Sequence, residues 1–207
     1  MDSMYGWQIG IYDFTRKYYL LGRDTLINEL EPPPSGTVLE IGCGTGRNLI
    51  QAAKKYPTAR FYGLDVSQVM LDEARASILK SGLADRIHLA LGDAGSLNTE
   101  ALFGLKKVDR IFCSYTLSMI PQWTDVLAHA LQSLEKNGVL SIVDFGAMNE
   151  MPKWIKFVLS TWLKTFSVFA RPDLESVLKN LAEPSKFDVD FKSRFRGYAY
   201  YAKAKRH

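Results

Sequence analysis

The sequence predicts an α/β domain, a largely parallel sheet covered by helices on both faces. Three observations predict it. Between residues 37 and 145 short apolar runs alternate with helical stretches, the order that builds βαβ units. A glycine-rich turn, Gly42-Cys43-Gly44-Thr45-Gly46, separates the first apolar run from the first helical stretch. The chain has 207 residues, 47% hydrophobic and 23% charged. That supports one domain with a sizeable core and excludes disordered, collagen-like and low-complexity classes.

The elements follow in order. Residues 1–31 read as an aromatic-rich helical cap, ended by Pro32-Pro33-Pro34-Ser35-Gly36. The alternating strand-and-helix core spans 37–145, with strands at 38–41, 60–64, 87–91, 108–114 and 139–145 and helices near 48–55, 68–80 and 123–134. Residues 151–171 form an amphipathic helix. A polar linker and a terminal hairpin (187–191 and 198–204, within 187–207) complete a single domain, 1–207.

Charge and cysteine content narrow the class. Lys and Arg number 26 and Asp and Glu 22, a formal net charge of +4. The excess is too mild, and too scattered outside the tail, to indicate nucleic acid. Cys43 and Cys113 are too few for a disulfide scaffold. They read as small buried residues in a reducing cytoplasm. With His88, His129 and His207 they form no metal-ligand spacing. The N-terminus carries no targeting pattern, and Lys153, Lys156 and Lys164 interrupt the most apolar stretch, against a transmembrane helix.

The glycine turn and two acids carry the chemistry. Glycines at 42, 44 and 46 let backbone approach a ligand closely, and the next helix aims its N–H groups above the turn. A plain strand-to-helix turn would read the same way. Asp65 ends the second strand, where a carboxylate accepts from both ribose hydroxyls of a nucleoside. Asp93 ends the third, where it accepts from an exocyclic amine such as that of adenine. Helix capping is the structural alternative for both acids. The spacing G-x-G-x-G, preceded by Glu40, departs from the G-x-G-x-x-G of dinucleotide sites. An acid before the loop suits a cationic ligand end better than a pyrophosphate.

On these residues, 37–145 resembles the class I S-adenosylmethionine-dependent methyltransferases. The resemblance implies their Rossmann-like fold, a mostly parallel seven-stranded sheet with helices on both faces, joined here by an N-terminal helix and an amphipathic lid helix. It implies S-adenosyl-L-methionine as cofactor, leaving as S-adenosyl-L-homocysteine. Glu40, Gly42, Cys43, Gly44, Gly46 and Asn48 would border its amino-acid part. Asp65 would hold the ribose, Val66 flank the adenine, and Asp93 with Ala94 bind the adenine edge. Ser114 and Tyr115 fall where the family lines the transfer site. Residues 11–24 (IYDFTRKYYLLGRD), 114–123 (SYTLSMIPQW), 142–146 (IVDFG) and 196–198 (RGY) resemble, more narrowly, the betaine-lipid N-methyltransferases. Those enzymes convert diacylglyceryl-homoserine to diacylglyceryl-trimethylhomoserine. The implied acceptor is a lipid amine at an anionic membrane surface, supplied by an upstream headgroup-transferring enzyme.

The residues add their own expectations. An amine must be neutral to attack, so it sheds a proton first. Asp144 is the candidate acceptor or ammonium anchor, with a loop hydrogen bond as the alternative. Tyr18, Tyr19, Tyr115, Trp123 and Tyr198 are available to cage a quaternary ammonium, or to pack in the core. Tyr12, Arg16 and Arg23 would close over the cofactor carboxylate. From 151 to 171 there are four basic residues and no acid. Lysines beside Trp and Phe describe an interfacial helix, which would place the enzyme peripherally on the inner membrane face. The alternatives are a buried helix, a phosphatidylethanolamine acceptor, a small soluble acceptor, or a non-catalytic scaffold. The sequence carries no signal for oligomeric state.

Overall fold

A computed structural model describes residues 20–166, 168–183 and 186–207. Five parallel strands form its centre: β1 (Thr37–Ile41), β2 (Arg60–Asp65), β3 (Ile87–Leu91), β4 (Val108–Ser114) and β5 (Leu134–Phe145). A terminal hairpin, β6 (Phe187–Arg194) and β7 (Ala199–Arg206), adds two strands. β7 pairs antiparallel with β5, so the seven strands run in the order β3-β2-β1-β4-β5-β7-β6. This is the class I, Rossmann-like arrangement expected. The order reverses between β1 and β4, and the carboxyl ends of those strands open the crevice where such sheets bind ligands.

Each strand alternates between two apolar layers. Val38, Phe61, Phe112 and Val143 face one layer, with α1 (Arg23–Asn28), α2 (Arg47–Lys55) and α3 (Gln68–Lys80). Leu39, Ile41, Ile111 and Ile142 face the other, with α5 (Trp123–Gln132) and α7 (Leu174–Ala182). A short α4 (Thr99–Phe103) is capped by Asn98, whose Oδ1 accepts from Ala101 N–H at 3.0 Å. Burial on both faces explains the adjacent apolar residues Val38-Leu39 of β1 and Ile111-Phe112-Cys113 of β4.

Three expectations need correcting. The stretch read as a polar linker contains α7, which buries Leu174, Leu178 and Ala182 at a four-residue spacing. The amphipathic helix, α6 (Lys153–Lys164), stops well short of residue 171. Its end turns back through Val168 N–H to Leu163 O (3.2 Å), and the next residue donates instead to Ser118 O (2.9 Å). Of the N-terminal cap, the described helix is α1 alone, with six residues. α1 is seated on the sheet by Gly22 at φ 86°, where a Cβ would overlap the Tyr201 hydroxyl, and by Lys203 to Glu29 at 2.7 Å.

Arg86, just before β3, ties the α2 end to the sheet. Its guanidinium donates to the carbonyls of Ala53 (2.6 Å), Pro57 (3.0 Å) and Tyr56 (3.2 Å). These are carbonyls at and beyond the helix terminus, which a cation favours. Arg86→Ala is expected to destabilise the protein by about 2 kcal/mol, read as a lower urea midpoint at unchanged m.

Candidate active site

A cleft of about 750 Å³ lies over the carboxyl ends of β1 to β4. Its floor is the glycine turn. Gly42, Gly44 and Gly46 have φ of 71°, 52° and 76°, a region costly for residues with a Cβ. A Cβ on Gly42 would also sit 2.3 Å from Thr116 Cγ2. Thr116 locks that approach by donating its hydroxyl to Ile41 O at 3.1 Å. The N–H groups of Gly42 and Cys43 donate to Leu64 O at 2.8 and 3.0 Å, so the turn is pinned to β2.

Asp65 completes the pinning. Oδ2 accepts from Gly44 N–H at 2.7 Å and Oδ1 from Ser67 N–H at 3.0 Å. It does not cap α3, because Ser67 occupies that position and accepts from Met70 N–H. The carboxylate lines the cleft already oriented, and each oxygen keeps acceptor capacity for a ribose hydroxyl. Asp93 does cap, accepting from Gly95 N–H at 2.9 Å at the start of the turn Ala94–Ser96, and it too lines the cleft. Val66 beside Asp65 is 76% exposed and Leu91 is half exposed. Both are cleft-lining apolar surfaces that a flat ring can cover. Arg23 and Arg47 border the same cleft near the glycine turn and bring positive charge suited to a carboxylate.

These features fit S-adenosylmethionine. Arg23 and Arg47 would meet its carboxylate end, the fixed Asp65 its ribose, and the apolar walls with Asp93 its adenine. Ser114, at the end of β4, adds a buried hydroxyl without a protein partner in the cleft lining.

The remaining expected site residues are placed differently. Glu40 does not line the cleft. It alternates with Leu39 on β1 and so faces the α2 layer, 1% exposed, where Asn48 Nδ2 donates to its Oε1 at 2.7 Å. Its Oε2 is buried without a partner. Burial, against the Asn48 bond and with Asp65 adding repulsion, pushes its carboxyl up from 4.5 to about 8. Asn48 and Cys43 reach the cleft, and burial holds the Cys43 thiol protonated. Asp144 also lies outside the lining. It is 2% exposed and accepts from Phe145 N–H (2.7 Å) and Ser118 N–H (3.1 Å), the loop-bonding alternative. Tyr115 lines the cleft, at φ 57°. Its hydroxyl donates to Leu21 O at 2.6 Å, and burial pushes its ionisation far up. It therefore straps the N-terminal segment to the cleft instead of accepting a proton. Tyr198 packs behind it through Phe145, and Trp123 lies under Arg171. Of the described aromatic cage candidates, Tyr115 alone reaches the cleft. Tyr12, Arg16, Tyr18 and Tyr19 lie outside the described residues.

Sequence reasoning did not single out Thr116, Arg47, Met70, Met119 or Ile120, all cleft-lining. Arg47 was signalled by following the last glycine directly. The others carry no sequence signal for the cleft.

A family model described as a methyltransferase domain matches residues 34–187. The chain belongs to that methyltransferase domain family. It is 30% identical over 146 residues to the uncharacterized protein RP789 of Rickettsia prowazekii, covering 69% of this chain and 25% of that one. It is 27% identical over 135 residues to the ubiquinone/menaquinone biosynthesis C-methyltransferase UbiE of Cereibacter sphaeroides, covering 65% and 52%. The chain thus spans a quarter to about half the length of these curated relatives. Among solved structures, it resembles a phosphoethanolamine N-methyltransferase of Haemonchus contortus in complex with S-adenosylmethionine. The TM-score is 0.73 at 15% identity, over 89% of this chain and 52% of that one. The S-adenosylmethionine-dependent methyltransferase SibL gives 0.72 at 19%, over 97% and 59%. The fold of this methyltransferase domain is that of the S-adenosylmethionine-dependent class I enzymes.

Two outcomes are expected. In Asp65→Asn the amide must turn its Nδ2 toward one of two N–H donors, so one bond is lost and the turn loosens. Calorimetric affinity for S-adenosylmethionine should fall at least about tenfold. Glu40 has its folded value raised, so its contribution to stability is fullest below pH 4.5 and is lost as pH rises toward about 8. Urea unfolding should show that decline, at most about 1.4 kcal/mol per pH unit, and Glu40→Gln should flatten it.

Proposed function

We propose that this domain is an S-adenosylmethionine-dependent N-methyltransferase that successively methylates the amine of a lipid headgroup. The acceptor we favour is diacylglyceryl-homoserine, yielding the trimethylated betaine lipid at an anionic membrane surface. An upstream headgroup-transferring enzyme would supply that acceptor.

The observation that carries the reading is that the described lining residues hold no base poised away from the cofactor side. Among the described lining residues the carboxylates are Asp65 and Asp93, both on the cofactor side. Asp144 is buried elsewhere and Tyr115 has its hydroxyl committed. A hydroxyl or carbon acceptor needs a positioned base. An amine with a pKa of about 8–10 needs only to lose a proton to water before it attacks. The lipid part of the reading is supported by the betaine-lipid resemblance and by the apolar wall of Met119 and Ile120, whose turn is bonded to the segment that follows the exposed apolar helix α6.

When bound, S-adenosylmethionine would supply a methyl group on a sulfonium to the amine lone pair, its sulfur leaving as the thioether of S-adenosylhomocysteine. The protein's part is alignment. Asp65 and the glycine turn would hold the ribose and amino-acid ends, Val66 and Asp93 would hold the adenine, and Tyr115 fastens the Leu21 segment to the cleft.

Labelled S-adenosylmethionine offered with diacylglyceryl-homoserine and phosphatidylethanolamine side by side tests the proposal. Label is expected in the homoserine lipid, with a rate that rises with pH toward the amine pKa. Label in phosphatidylethanolamine alone moves the assignment to a phospholipid. Label in neither, with cofactor bound, turns it to a soluble acceptor.

A further inference from the structure

The body of α6 is anchored on one side only. Leu163 is buried, and Ile155 and Leu159 are half-buried beneath it. On the opposite side Trp154 and Phe157 are each 70% exposed and Val158 57% exposed. These three are neighbours on one helical face. Lys153 borders that face, and Lys156 lies further round the helix, where its Nζ donates to Asn149 Oδ1 at 2.8 Å.

A second exposed element stands beside the base of α6. The β6–β7 turn carries Phe195 and Arg196, both exposed, at φ 54° and 55°. The turn is fastened to the β5–α6 connection, since Met148 N–H donates to Gly197 O at 2.8 Å and Gly146 N–H to Tyr198 O at 2.7 Å. The charge pattern of the two segments is one-sided. Residues 151–171 carry four basic residues and no acid, and Arg194 and Arg196 stand at the turn, whereas Lys192 and Lys203 further along the hairpin are paired with Asp190 and Glu29.

We propose that α6 and the β6–β7 turn form one docking surface for an anionic lipid bilayer. The apolar face with tryptophan enters the headgroup boundary, and Lys153 beside it and Arg196 on the turn meet anionic headgroups. A second copy is the poorer occupant. A two-fold interface would set the same basic patch against itself. The surface is also wired to the cleft. Beyond α6, Phe169 N–H donates to Ser118 O at 2.9 Å. Arg171 donates to Leu117 O (3.2 Å) and Ile120 O (2.8 Å). These carbonyls belong to the turn that brings Met119 and Ile120 to the cleft wall. A docked helix therefore holds the acceptor wall next to the interface. The inference deepens the lipid reading above, but the docking itself rests on these residues.

The test is cosedimentation of the whole protein with extruded phosphatidylcholine vesicles, with and without phosphatidylglycerol, at low and high salt. Binding is expected to require phosphatidylglycerol, to weaken with salt, and to shift tryptophan emission to the blue. Trp154→Ser with Phe157→Ser should weaken binding at least about tenfold, and Lys153→Gln about fivefold. All three side chains are exposed, so thermal midpoint and cofactor affinity should hold, which separates lost docking from lost fold. Wild-type protein left in the supernatant, or variants that sediment like wild type, would overturn the proposal. So would a lipid-free dimer that disappears in Trp154→Ser, which would give the face to a second copy. Methyl transfer to diacylglyceryl-homoserine in detergent micelles separates the two readings. Protein that docks but labels no lipid sinks the acceptor and leaves the surface standing. A variant active in micelles but inactive on vesicles supports the surface directly.

Discussion

The bond from Gly44 N–H to Asp65 ties β1's turn to the end of β2, and the cleft is organised around it. Three left-handed glycines in five residues would otherwise be the least ordered backbone in the domain, since glycine loses the most freedom on folding. Here each is held. Thr116, just after β4, closes on Gly42, Leu64 O takes the N–H groups of Gly42 and Cys43, Asp65 takes that of Gly44, and Gly46 N–H donates to Cys43 O. The same carboxylate reaches Ser67 ahead of α3. The carboxylate that would meet a ribose is therefore oriented before any ligand arrives, which lowers the ordering cost of binding.

Much of this was legible in the residues, for identifiable reasons. Fully buried parallel strands read as short apolar runs, and the central strands and α3 came out close to their observed limits. Asp65 and Asp93 were legible because strand ends at a switch point face the crevice. Glu40 shows where such reading stops. Alternation puts it on the same face as Val38, but no local signal says that this face lies under α2. Tyr115 likewise falls at the right strand end, yet its partner Leu21 is 94 residues away and decides what its hydroxyl does. α7 was missed because its apolar spacing is spread over nine residues, too few for periodicity to stand out against polar neighbours.

The two buried carboxylates illustrate different solutions to one problem. Asp144 receives two backbone N–H groups, from its own neighbour and from the turn after β4. Those bonds offset part of its desolvation and fix the wall carrying Met119 to the end of β5. Glu40 receives one amide bond and keeps one oxygen bare, so its ionised form is poorly compensated. Asn48, which supplies that bond, also faces the cleft. The charge state of Glu40 and the orientation of a cleft-lining amide are thus coupled through a single 2.7 Å contact.

The outer face of α6 is the part of the molecule the fold does not explain. Nothing in its own core needs Trp154 or Phe157, because Leu163 and Val168 already secure the helix and its return. Large apolar side chains left in water favour association of some kind. Basic residues around them narrow the choice, since they add affinity only where the partner is anionic and oppose any self-contact. The strap through Phe169 and Arg171 then gives the surface a consequence for chemistry. It bonds to three carbonyls of the turn that carries Met119 and Ile120 to the cleft lining, so the segment leaving the helix is tied to the cleft wall. A headgroup already at the interface would reach that wall without its acyl chains leaving the bilayer, and that removes the largest hydrophobic cost of methylating a lipid.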